Sequence, residues 1–173
     1  MSGRTGKCRI AYADLDPEVL SHARALLATS GGVTAVAADL RDPLGVLAYP
    51  DLRAVIDPAA PVGLNLAAVL HFFEAHAARQ LNAGYARLIA PGSCLAISVA
   101  RYDDEIRGKR MSAEYTAANW HNHSPADVVS FFAGLDLVGP GVTEAHTWRA
   151  WMPEPVMRHR EGHVLAGVAR RRA

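Results

Sequence analysis

The sequence predicts an α/β fold built on a mostly parallel sheet. Short unbroken apolar runs, the kind a strand covered on both faces needs, alternate with stretches of helical periodicity. Three of those stretches open on a capping side chain followed by proline: Asp16-Pro17, Asp42-Pro43 and Ser124-Pro125. The cap oxygen satisfies a free N–H, and proline sits where a missing N–H costs little. Strands joined through helices make parallel neighbours with right-handed crossovers.

The first strand is the run Ile10 to Ala13, with Asp14 at its carboxyl end. Asp16 caps the helix that follows, and Glu18 places negative charge at its positive end. Val19, Leu20, Ala23, Leu26 and Leu27 recur at helical spacing until Gly31 and Gly32 end the helix. Val33 to Ala38 is a second buried strand, closed by Asp39-Leu40, and a short helix runs from Asp42-Pro43 through Leu47. Tyr49 to Pro61 holds three prolines and reads as a connecting loop. The third strand is Val62 to Val69, followed directly by Leu70-His71-Phe72. A helix from Glu74 to Ile89 turns Ala78, Leu81, Tyr85 and Leu88 inward. Cys94 to Val99 is the fourth strand.

Arg101 to His123 is polar and reads as a mobile cover with some helix. Ser124, with Asp127 at the third helical position, opens another helix whose apolar face is Val128, Val129, Phe131 and Phe132. Leu135 to Val138 is a short strand, broken by Gly139-Pro140-Gly141. Thr147 to Arg160 reads as an irregular loop, and Val164 to Ala169 as the last strand. No helix joins the final two strands, so they should form an antiparallel pair at that edge. Met1 to Lys7 is small and polar and is expected to be disordered.

A length of 173 residues, 50% of them hydrophobic and 20% charged, fits a single soluble domain over 1–173. A net charge of +1 gives no electrostatic case for nucleic acid or an anionic membrane. Arg170-Arg171-Arg172 reads as a solvated end. Cys8 and Cys94 lie in apolar runs and are expected to be buried, reduced thiols. No apolar run reaches membrane-spanning length and no leader opens the chain, so a cytoplasmic protein is expected.

Ligands of open α/β sheets sit at the carboxyl ends of strands. A carboxylate there, such as Asp14, can accept from both hydroxyls of a ribose; the plainer alternative is a solvated loop acid. His71, just past a strand end, is the candidate base, and the alternative is a helix-entry residue bonded to backbone. His121, Asn122 and His123 either meet substrate or are solvated. No metal site is expected, because the cysteines are far apart and His121-x-His123 lacks further ligands. Neither a Gly-x-Ser-x-Gly elbow nor a Gly-x-x-x-x-Gly-Lys loop is present. Trp148 and Trp151 read as core or edge cover.

Several stretches carry a family resemblance: Tyr12 to Leu27, Ala38 to Pro43, Ala68 to Phe72, Leu88 to Ser93, Phe131 to Leu135, Leu137 to Val142, and Trp148-Arg149. In this order they resemble a family of S-adenosylmethionine-dependent methyltransferases common in actinobacteria. The resemblance implies a Rossmann-like class I methyltransferase sheet, S-adenosylmethionine as cofactor and a small molecule as methyl acceptor. It implies that Asp14 binds the ribose hydroxyls and Leu15 packs on the adenine. Asp39 would accept from the adenine amino group, the Leu40 N–H would reach a ring nitrogen, and Ala67 and Ala68 would line the methionine end. His71 would face the transfer site.

One departure from the family pattern is large. Class I enzymes have a first strand and a Gly-x-Gly loop before the strand that ends in the ribose acid. Here only Met1 to Arg9 precede it, with Gly3 and Gly6. The usual first strand and helix are therefore lacking, and that strand would be central, between those starting at Ile10 and Val62. Unpaired buried backbone groups cost about 1–3 kcal/mol each, so a gap is not expected. Either these strands pair directly, or a complementing chain supplies the missing one. Three functions stay open: a weakened methyltransferase, a nicotinamide-binding α/β protein, and a non-catalytic remnant that forms a homodimer or binds a partner.

Overall fold

The structure, a computed structural model, describes residues 8–28, 31–114, 119–148 and 162–172. The N-terminal tail with Gly3 and Gly6, Trp151 and most of the loop expected up to Arg160 lie outside these residues.

The opening unit follows the sequence closely. β1 (Ile10–Asp14) leads to α1 (Pro17–Leu26), β2 (Val33–Ala37) and α2 (Pro43–Ala48). The Asp16 carboxylate accepts from the Glu18 and Val19 N–H groups, and the Asp42 carboxylate accepts from the Gly45 N–H. A second short helix, α3 (Pro50–Val55), stands where a loop is expected. Pro50 opens that helix instead of breaking it, since a first-turn proline forfeits no helical bond, and Leu52 buries its side chain.

β3 (Gly63–Ala67) runs into a 3₁₀ turn at Leu70–Phe72 and then α4 (Ala75–Leu88). On α4 the buried face is Ala78, Leu81, Asn82 and Tyr85. Leu88 is exposed and Ile89, one residue on, takes the inward place. β4 (Cys94–Tyr102) outlasts its expected end by three residues, because β7 (Gly162–Arg170) pairs along its whole length, from Cys94 opposite Arg170 to Tyr102 opposite Gly162. Between them lie α5 (Glu105–Glu114), α6 (Pro125–Ser130), β5 (Asp136–Leu137) and β6 (Thr143–Glu144). Ser124 and Asp127 form the reciprocal capping box of α6. Phe131 and Phe132 are buried just past that helix, whereas Val129 faces out.

β1 and β2 pair in parallel, as do β3 and β4, while β7 is antiparallel to β4, β5 and β6. The antiparallel pair expected at the far edge is β5 with β7, and β7 also inserts beside β4. The sheet is more mixed than the sequence implies.

The strands form two sheets, β1-β2 and β3-β4-β7-β5, with β6 on β7. Of the two outcomes left open, direct pairing of β1 with β3 is not found: the two strands belong to different sheets. The separation leaves the facing edges open instead of sealed without partners, so the desolvation penalty does not arise. On β3 the alternate residues Gly63, Asn65 and Ala67 are exposed. The small pair stays attached through side chains: Val36 joins the main core with Val46, Leu52, Leu66, Leu70 and Tyr85. Its opposite face makes a separate cluster of Leu20, Ala23 and Ala35. Contrary to expectation, Cys8 is exposed and Cys94 half-buried.

Candidate functional site

Between β1 and β3 lies a cleft of about 1370 Å³. Its walls are β1, β3, the inward face of α1, the α2–α3 corner and the Tyr85–Ile89 end of α4. Asp14 and Ala67, the last residues of their strands, both line it.

The carboxyl ends of β1 and β2 are held side by side. The Asp14 carbonyl accepts from the Ala38 N–H at 3.0 Å, which places Asp39 next to the end of β1. Asp14 Oδ1 accepts from the Asp16 N–H at 2.9 Å, and its second oxygen has no partner among the described residues. Asp39 is engaged: its carboxylate takes the Arg41 guanidinium at 2.6–2.9 Å as well as the Arg41 N–H. Those bonds hold its carboxyl below the usual carboxylate range. The pair is open to solvent and so is readily parted.

Leu40 lines the cleft, and its carbonyl accepts from the Tyr85 hydroxyl at 3.0 Å. Burial, and secondly the Asp39 and Asp42 charges, push that phenol up to about 12, so it stays a donor at every physiological pH. Tyr85 reads as simple core from its spacing; the tether shows only when α4 meets the β2 end. Leu15 is exposed and, like Asp39 and Ala68, does not line the cleft.

Ala68 has φ 53°, a left-handed conformation that a β-carbon disfavours. Its N–H is fixed by the carbonyl and hydroxyl of Ser98, each at 3.0 Å. Backbone strain of this kind persists only where the surroundings hold it, as the two Ser98 bonds do here. Ala68→Gly should stabilise the chain and Ala68→Val destabilise it, each by about 1 kcal/mol, read from the midpoints of thermal unfolding. Equal midpoints in both variants would show that the corner carries no strain.

His71 is brought elsewhere. Its ring is buried, packed at 4.3 Å from Phe72 and 4.2 Å from Trp120, and lines neither cavity described here. Its Nδ1 has no hydrogen-bond partner. Burial, with a smaller contribution from His123, pushes its pKa down to about 4. An imidazole so weakly basic is poorly matched to proton abstraction near neutrality, and the geometry favours a packing role.

The cover is not loose at its end. The His121 N–H donates to the His71 carbonyl at 2.7 Å, and Asn122 bonds both the N–H and the carbonyl of Tyr102 at 2.8 Å. The His123 Nε2 lies 3.1 Å from the Leu70 carbonyl. Trp120, His121, Asn122 and His123 line a second, more open pocket of about 490 Å³ together with Glu74. Sequence spacing alone does not show that this segment docks on the 3₁₀ turn.

Strands alternating with helices make this an α/β protein, and its likeness to solved methyltransferases gives it the Rossmann-like class I fold. The chain belongs to the S-adenosyl methyltransferase family, whose model matches residues 3–172. It is similar to a candidate methyltransferase from Thermobifida fusca YX, with 31% identity, 95% of this chain and 64% of that one covered, and a TM-score of 0.82. A DUF574 family protein from Streptomyces avermitilis MA-4680 shares 30% identity over 94% of this chain and 65% of its own, with a TM-score of 0.83. This chain thus spans just under two thirds of the length of either. The N-methyltransferase NodS of Bradyrhizobium japonicum WM9, solved with S-adenosyl-L-homocysteine, shares the fold at 13% identity, with 94% of this chain and 66% of that one covered and a TM-score of 0.57. No curated protein matches the chain. The family leaves the nicotinamide reading without support. No helix among the described residues is long and apolar enough to cross a membrane.

Proposed function

We propose that the cleft is one half of an S-adenosylmethionine site, and that the protein takes part in methyl transfer to a small molecule. The observation that carries this is the pair of acids at the adjoining carboxyl ends of β1 and β2, one of them lining an apolar cleft. In this reading Asp14 receives the ribose hydroxyls. Asp39 exchanges Arg41 for the adenine amino group, and the Leu40 N–H reaches a ring nitrogen. Leu15 packs on the adenine from outside the cleft, while Ala67 and Ala68 border the methionine end. The bound cofactor supplies an electrophilic methyl group for an in-line displacement, which needs positioning above all.

The walls fit the adenosine half better than the methionine half. No glycine-rich cradle faces Asp14 among the described residues, so S-adenosylmethionine should bind at tens of micromolar or more weakly, roughly −6 kcal/mol. Calorimetric titration measures this directly. A complete absence of saturable binding up to millimolar cofactor would remove the cofactor reading. The open cleft also supports a second reading, a methyltransferase-fold domain that acts through a partner without catalysis of its own. Retained partner binding with no methyl transfer would select it.

A further inference from the structure

We infer that Tyr85 is a positioning residue for adenine recognition: from α4 it fixes the turn after β2 in the shape that presents Asp39 and the Leu40 N–H to the base. The inference rests on the cofactor reading above and deepens it, since it names what sets the specificity of that corner.

The bonding of the turn carries it. The Asp42 N–H donates to the Asp39 carbonyl at 3.0 Å, so residues 39–42 form a β-turn with Leu40 and Arg41 in the middle. The amide joining those two residues is held at both ends. Its carbonyl, on Leu40, accepts from the Tyr85 hydroxyl at 3.0 Å, and its N–H, on Arg41, donates to Asp39 Oδ1 at 2.9 Å. One chain of bonds thus runs from the phenol through a single peptide group to the carboxylate, and bonds linked in this way polarise and strengthen one another. The Leu40 N–H has no hydrogen-bond partner among the described residues, and Leu40 lines the cleft. A free N–H beside a carboxylate is the pattern that an adenine edge complements, since its N1 accepts and its amino group donates.

The turn would close without any bond to the Leu40 carbonyl. Here one comes from a residue 45 positions away in sequence and 2% exposed. The packing of α4 delivers it. Glycine is a poor helix former, yet Gly84 sits inside α4 next to Tyr85. A β-carbon at Gly84 would lie 3.2 Å from Cγ of Pro43, tighter than an ordinary contact. The missing side chain lets α4 close on the start of α2 and brings the hydroxyl within reach of Leu40. A site built to hydrogen-bond a group rejects an analogue that lacks it, and does so best when its own groups are held still.

The test compares the full chain with Tyr85→Phe, which keeps the buried ring and removes only the hydroxyl. The probes are S-adenosyl-L-homocysteine and S-inosyl-L-homocysteine, in which an oxo group replaces the adenine amino group and N1 carries a proton. Wild type should prefer the adenosine compound. In the variant the Kd of that compound should rise about fivefold, while that of the inosine compound changes less than about twofold, so the preference narrows. In the free chain, amide exchange at Arg41 should speed up about threefold or more. A purely structural role lowers the midpoint of thermal unfolding and leaves the preference unchanged, and that result overturns the proposal. An unchanged Arg41 amide overturns it as well. If wild type binds neither probe, the cofactor reading falls and this inference with it; if wild type binds and the variant keeps its preference, the positioning role alone falls.

Discussion

Asp14→Ala should weaken S-adenosylmethionine binding about 5- to 150-fold, the equivalent of roughly 1–3 kcal/mol. The reasoning begins with position. Asp14 closes β1, lines the cleft, and keeps one carboxylate oxygen without a partner among the described residues. Ribose hydroxyls that lose a charged acceptor exchange charge-assisted bonds for water or for nothing. The variant also removes the acceptor for the Asp16 N–H, so loss of the turn must be separated from loss of the ligand contact. Asp14→Asn retains an oxygen for that turn while discarding the charge, and should fall between wild type and alanine. Asp39→Ala should cost less, since in the free protein Asp39 is already occupied by Arg41. Unchanged affinity in both Asp14 variants would remove the ribose assignment while leaving the fold untouched.

Acid should destabilise the chain well before its carboxylates are titrated, and His71 should be the main cause. Its folded pKa is pushed down to about 4, while the unfolded chain has the ordinary value of 6.5. Burial likewise pushes His123 down. Between those pH values the unfolded state binds more protons, so stability falls as pH falls. The contribution is complete above about pH 6.5 and is lost toward pH 4, to a total of about 3 kcal/mol for His71. The lowered Asp39, Asp127 and Asp136 carboxyls act in a separate window, below the ordinary carboxylate value of 3.8. His71→Phe keeps a flat ring between Phe72 and Trp120 and deletes the unpartnered Nδ1. It should leave stability at pH 7.5 unchanged or higher and flatten the decline between pH 6.5 and 4. Superimposable pH curves for the two proteins would show that His71 does not carry the effect. The same variant reports on catalysis: a packing residue lets methyl transfer survive, and a proton acceptor does not.

Much of the framework was legible because its signals are local. The Asp16, Asp42 and Ser124 caps, each with proline behind it, announce helices that the backbone forms where expected. The acids after the first two strands were legible for the same reason, although β1 is not the buried strand expected: Tyr12 and Ala13 are exposed and its other residues are half-buried. Asp14 is fixed by the end of its own strand, and Asp39 by the end of the next. The helix at Pro50 was misread because proline punctuates both loops and helix starts, and only the packing of Leu52 decides between them. His71 looked available because a place after a strand end is a place near ligands. What covers it is Trp120, which lies far along the chain and docks through the His121 N–H.

Composition, apolar periodicity and cap chemistry therefore determined the elements, their order and the places of Asp14 and Asp39 at strand ends. Each of these is set by residues a few positions apart, where side-chain spacing and backbone geometry leave little choice. Only the tertiary structure decided that β1 and β3 stand apart, which backbone groups line the space between them, and that His71 is sealed under Trp120. Those outcomes depend on whether surfaces far apart in the chain meet, which residues a few positions apart do not decide.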